Sequence, residues 1–77
     1  MEDIYSVIRS NIKKYRKMKN MTQAKLAEKV DLSHDYMRQI ESKKIAKCFS
    51  VQTFYDISKA LEVTMDTLSK KEEKEKK

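Results

Sequence analysis

The side chains best placed to recognise another molecule lie between Ser33 and Lys44. His34, Asp35, Arg38 and Gln39 recur at i, i+1, i+4 and i+5, so on a helix they share one face. That face carries only hydrogen-bonding groups, while Met37 and Ile40, at i and i+3, point the other way. Presented to base edges in a DNA major groove, Arg38 suits guanine or a phosphate, Gln39 suits adenine, and Asp35 suits the N4 amine of cytosine. Asp35 has a second role open to it. A carboxylate is repelled by a phosphate-lined groove but favoured in the first turn of a helix. An ordinary solvated helix face has the same composition, so these four residues alone do not separate recognition from exposure.

Other chemistries find no support. His34 is the only histidine and Cys48 the only cysteine, too few for a metal site of ordinary ligand count. No nucleophile and base stand in a credible relation, so the chain reads as a non-enzyme without cofactor, metal or small-molecule ligand. Cys48 reads as an incidental loop thiol in preference to a redox sensor. A lone thiol with no disulfide framework fits a reducing, cytoplasmic setting. Met1 to Ser10 mixes polar and apolar residues, with acids at Glu2 and Asp3, which is not a signal-peptide pattern. No run approaches the roughly 18 apolar residues of a membrane span.

The charge distribution narrows the partner. Net charge is +6, made of +4 over residues 1–20, −1 over 21–42, +3 over 43–60 and zero over 61–77. Two basic segments flanking a near-neutral centre suit a polyanion, either nucleic acid or an anionic membrane surface.

The elements that must position these residues are helical. The 77 residues allow one domain and include neither Gly nor Pro, so hairpin signals are missing. Apolar residues recur at helical spacing: Ile4, Ile8, Ile12 and Tyr15; Leu26, Ala27 and Val30; Met37 and Ile40; Phe54, Ile57 and Leu61; Met65 and Leu68. Thr22, Ser33, Ser50 and Thr64 are candidate N-caps. Each sits inside a hydrophobic staple, through Met21/Leu26, Leu32/Met37, Phe49/Phe54 and Val63/Leu68. Asn20 and Asp31 suit left-handed helix stops. These signals predict an all-α chain of five helices, over about 2–19, 23–30, 34–42, 51–61 and 65–70. A domain over 1–70 is followed by a charged tail over 71–77, a frayed helix end or a solvated segment. Only Asp31 and Leu32 separate the second helix from the cap of the third, which forces the steep crossing of a helix-turn-helix.

The run MTQAKLAEKVDLSHDYMRQIES, residues 21–42, resembles the helix-turn-helix of the phage Cro/repressor family, also called XRE. Thr22, Gln23, Leu26, Ala27, Ser33, Ile40 and Glu41 match its pattern, and Met37 replaces the usual aliphatic residue. The later ISKALEVTMDTL, residues 57–68, is similar to the family's final two helices. The resemblance spans about residues 5–69 and implies a compact five-helix bundle of the lambda-repressor-like type.

The resemblance also implies site roles. Gln23 contacts phosphate and buttresses the recognition helix, while Ser33, His34, Asp35, Arg38 and Gln39 face DNA. Lys43 and Lys44 lie near backbone phosphates, with Lys47 a weaker candidate. Arg16 and Glu41 match an internal ion pair between the first and third helices. A carboxylate at Glu41 would otherwise be badly placed for both DNA and the helix dipole. Several departures matter. Asn20, Asp31, Lys43 and Glu62 stand where glycine is common, Lys25 stands where Glu would complete a capping box, and the loop Lys43 to Ser50 is longer than usual and lacks proline. The expected function is a transcriptional regulator, most simply a repressor, binding a palindromic double-stranded operator as a homodimer. The alternative is a small antitoxin-like or phage-encoded protein-interaction module, with a membrane-surface binder a distant third.

Overall fold

The computed structural model describes residues 3–45 and 48–71. Within them every regular element is an α-helix: α1 (Ile4–Met18), α2 (Gln23–Lys29), α3 (His34–Glu41), α4 (Val51–Leu61) and α5 (Met65–Ser69). The α4 span matches its expected limits. The other four helices end one residue earlier, because Lys19, Val30, Ser42 and Lys70 are C-caps and not helical residues. The first helix begins at Ile4, since Asp3 is its cap: the extended Asp3 accepts from the Ser6 amide through Oδ1 at 2.9 Å. Beyond Lys71 the expected charged tail lies outside the described residues.

All four hydroxyl caps form. Thr22 accepts from the Lys25 amide, Ser33 from Tyr36 and Thr64 from Thr67, each at 3.0 Å, and Ser50 accepts from Thr53 at 3.1 Å. Each such cap satisfies an otherwise unpaired donor and is worth about 0.5–2 kcal/mol.

Three of the helices also end alike. Asn20, Asp31 and Glu62 take φ of 56°, 59° and 61°, the left-handed conformation usually given to glycine. The chain then closes two bonds back onto the helix. After α1, the Met21 amide donates to the Arg16 carbonyl at 3.1 Å and Asn20 to Lys17 at 2.9 Å. After α2, Leu32 donates to Ala27 at 2.9 Å and Asp31 to Glu28 at 3.2 Å. After α4, Val63 donates to Ser58 at 3.0 Å and Glu62 to Lys59 at 3.1 Å. These are Schellman closures. Met21, Leu32 and Val63 therefore each finish one helix and staple the start of the next, which sets the inter-helix angles without glycine or proline. Lys43, the fourth residue at a glycine-favoured position, does not take positive φ. Lys19 Nζ donates to Glu62 Oε1 at 2.9 Å, and this hydrogen bond with its charge holds the Glu62 carboxyl below its usual range.

A left-handed residue other than glycine carries a steric cost of roughly 1–2 kcal/mol, less for Asp and Asn. Glycine's greater freedom in the unfolded chain offsets about 0.4–1 kcal/mol of any relief. Asp31→Gly is therefore expected to stabilise the fold by up to about 1 kcal/mol. Urea denaturation checks this, and a lower midpoint in the variant contradicts it.

The helices enclose one core of Ile8, Ile12, Leu26, Ala27, Met37, Ile40, Phe49, Ile57, Leu61 and Leu68. Ile4, counted with the first apolar stripe, is half exposed, while Val30, Phe54 and Met65 are half-buried. Phe49 fixes the loop before α4, with its ring edge-on to Tyr5 at 5.1 Å and tilted against Phe54 at 6.2 Å.

Three buried polar residues of α1 tie the bundle together. Asn11 Nδ2 donates to the Leu68 carbonyl at 2.7 Å and the Lys70 carbonyl at 3.0 Å, capping the end of α5. Arg9 Nε donates to the Ile40 carbonyl at 3.2 Å, near the end of α3. Arg16 reaches the α1–α2 turn and α3 together, donating to the Met21 carbonyl through Nη1 at 2.8 Å. Carbonyls at helix C-termini lack intrahelical partners, as does the Met21 carbonyl in the α1–α2 turn, so each of these bonds satisfies a group that burial would otherwise penalise.

Candidate nucleic-acid interface

The α2–α3 pair presents the candidate site. Leu26 and Ala27 of α2 and Met37 and Ile40 of α3 are buried against α1 and α4, which leaves the opposite side of α3 outward. Ser33, His34, Asp35 and Arg38 are exposed there and Gln39 is half-exposed. The Ser33 hydroxyl accepts from the Tyr36 amide, and its own proton remains available to an acceptor.

Asp35 organises this face. Its Oδ1 accepts from Arg38 Nη2, and its Oδ2 accepts from Gln39 Nε2 at 3.1 Å. One carboxylate thus holds the two side chains best suited to base edges. It does not cap the helix, because Ser33 does that. It stands in the first turn, where the helix dipole favours an acid.

Behind the face, Glu41 anchors α3 to two other helices. Arg16 donates to it with two parallel bonds, Nε to Oε2 at 2.8 Å and Nη2 to Oε1 at 3.0 Å. Gln23 Nε2 donates to Oε1 at 3.0 Å. Arg16 and Glu41 are each 7% exposed, so the fork is shielded from water and sets the angle between α1 and α3. Gln23, first residue of α2, joins the same cluster and couples the two helices of the motif.

Past α3, Ser42 accepts from the Ile45 amide through Oγ at 3.2 Å and shapes the turn that carries Lys43 and Lys44. Both lysines are exposed. Lys47 lies outside the described residues. Cys48 is exposed and free. Among the described residues no group of His, Cys, Asp and Glu is arranged to hold a metal ion, and no helix is long and apolar enough to cross a membrane.

Sequence reasoning missed Arg9 and Asn11 as buried anchors. The available signal was their position beside Ile8 and Ile12 on a helix that must face the core. It also missed that Asp35 pairs with its own neighbours, although the i, i+3 and i+4 spacing to Arg38 and Gln39 allows it.

Two short helices joined by a closed turn, the second exposing a polar face and anchored from behind by an ion pair, define a DNA-binding helix-turn-helix regulator. The helix-turn-helix family model matches residues 12–68, from the middle of α1 to α5. The chain belongs to that family, the Cro/C1-type (XRE) helix-turn-helix proteins. No curated protein and no solved structure matches it.

Proposed function

We propose that this regulator is a repressor that binds a palindromic operator as a homodimer, with α3 of each protomer in the major groove. The observation that carries the reading is the outer face of α3. It is exposed, consists only of hydrogen-bonding groups, and is held in orientation by the buried Arg16–Glu41 pair and the half-buried Gln23. A major groove admits a helix and displays a distinct donor and acceptor pattern for every base pair. Arg38 and Gln39 read bases, and His34 and Asp35 border them. Ser33, Gln23, Lys43 and Lys44 engage backbone phosphates. The clasp of Asp35 on Arg38 and Gln39 keeps both donors ordered before DNA arrives and offsets the repulsion between its carboxylate and the phosphates. One short helix covers few base pairs, so two protomers on half-sites about 34 Å apart supply the necessary length.

Selection of bound duplexes from a random pool tests this reading. Wild-type protein is expected to enrich a two-fold symmetric site that takes up two protomers. Arg38→Ala or Gln39→Ala is expected to relax preference at particular base pairs, by about 1–3 kcal/mol where the side chain makes a bidentate pair with its base. Lys44→Ala is expected to weaken all sequences alike. An unchanged preferred sequence in both face variants means that another surface reads the DNA, and absence of any enrichment overturns the function.

A further inference from the structure

A basic cleft separates the first half of α1 from the end of α3. It measures about 460 Å³ and is lined by Arg9, Ser10 and Lys13 on one side and by Glu41, Ser42, Lys43 and Lys44 on the other. Four cations therefore face one carboxylate. That carboxylate is already engaged by Arg16 and Gln23, so it offers the cleft little free negative charge. The described salt bridges take up none of Lys13, Lys43 and Lys44. Arg9, 5% exposed, is fixed at the floor by its bond to the Ile40 carbonyl. It is a charge that cannot swing away into solvent. Ser10 adds an exposed hydroxyl on the rim.

Such an arrangement is suited to a phosphate. We infer that this cleft is a second DNA-binding site, in which Lys13 and Ser10 of α1, with Arg9 behind them, bind a backbone phosphate next to the one held by Lys43 and Lys44. The site rests on the DNA-binding reading above and extends it to a helix outside the α2–α3 motif. Lys43 and Lys44 belong to both regions, so a strand leaving the C-terminal end of α3 runs directly into the cleft. Phosphate binding of this kind fixes the register of a duplex and carries no base information.

The test is the salt dependence of binding to the selected operator. Removing the cation from one phosphate lowers the slope of log affinity against log salt by about 0.9. Lys13→Gln is expected to lower the slope by that amount per protomer, so that between 50 and 200 mM salt it loses about 3–4-fold less affinity per site than wild type. Ser10→Asp, which places a carboxylate one turn from Lys13 on the same helix and cancels positive charge in the cleft, is expected to weaken binding at low salt with the sequence preference intact. Lys59→Gln, on α4 in a separate groove with Tyr55, serves as the control and is expected to change neither. Unchanged slopes and affinities in Lys13→Gln and Ser10→Asp, with Arg38→Ala still altering base preference, overturn the cleft and leave the function standing. Absence of DNA binding by wild type overturns both. Titration with inorganic pyrophosphate is the second arm. Saturable binding abolished by Ser10→Asp, with DNA slopes unaffected, assigns the cleft to a free polyphosphate and overturns its role on the duplex.

Discussion

Removing either charge of the Arg16–Glu41 pair is expected to destabilise the fold by about 3–5 kcal/mol, the usual consequence of leaving a buried charge without its partner. The geometry supports the upper class of effect. Both residues are 7% exposed, the guanidinium makes two parallel bonds to the carboxylate, and its third donor holds the Met21 carbonyl. Glu41→Gln keeps the shape but leaves Arg16 facing a neutral amide. Arg16→Met leaves Glu41 with only Gln23. A domain of this size has roughly 5–10 kcal/mol of stability, so either change takes a large share of it. The double variant is expected to lose less than the two single losses added together, because neither charge is then stranded. Chemical denaturation of the four proteins closes the cycle. A coupling energy indistinguishable from zero shows that the pair does not hold α1 to α3. Were the pair solvent-exposed, the loss would instead be about 0–1 kcal/mol.

Affinity for DNA is expected to fall about 10³-fold between 50 and 200 mM salt. In the proposed dimeric complex, Lys13, Lys43 and Lys44, which line one cleft of each protomer, would place six cations near the phosphates. Six neutralised phosphates give a slope near −5 in log affinity against log salt through counterion release. The loss is expected on every sequence, because backbone charge does not depend on base identity. It is distinct from the effect of Arg38→Ala, which changes the preferred site. A flat response across the salt series rules out the electrostatic account and with it the assignment of these lysines. A steep slope on random duplexes with no preferred site would retain the basic surfaces but reject α3 as a reader.

Most of the local architecture was legible in the chain because it depends on interactions three to five residues apart. The hydroxyl caps at Thr22, Ser33, Ser50 and Thr64 each bind the amide three residues on, and the staples join neighbours across the same turn. Asn20 and Asp31 read as left-handed stops for the same reason. The polar face of α3 followed from residue spacing alone. Helix ends were placed one residue too far because a C-cap shares the composition of the turn before it. Distinguishing the two requires the dihedral angle.

Long-range polar interactions were a different matter. Arg9 and Asn11 border the apolar stripe at Ile8 and Ile12, but that position marks only the edge of the buried face and names no partner, and a polar residue in a basic amphipathic helix most simply faces water. Their partners, the carbonyls of Ile40 and Leu68, lie 31 and 57 residues away. The juxtaposition of Arg16 with Glu41 was accessible through family resemblance. The addition of Gln23 to the same carboxylate and of Met21 to the same guanidinium was not. The sequence by itself determined five helices, the hydroxyl N-caps of the last four, the tight α2–α3 turn and which face of α3 stays polar, because these follow from backbone hydrogen bonding and periodicity within single segments. The tertiary structure decided which α1 side chains satisfy the ends of α3 and α5, and that Arg9, Lys13, Lys43 and Lys44 share one cleft. Those outcomes depend on the packing of helices distant in sequence, where an unpaired buried carbonyl or charge costs more than the ordering of a long side chain.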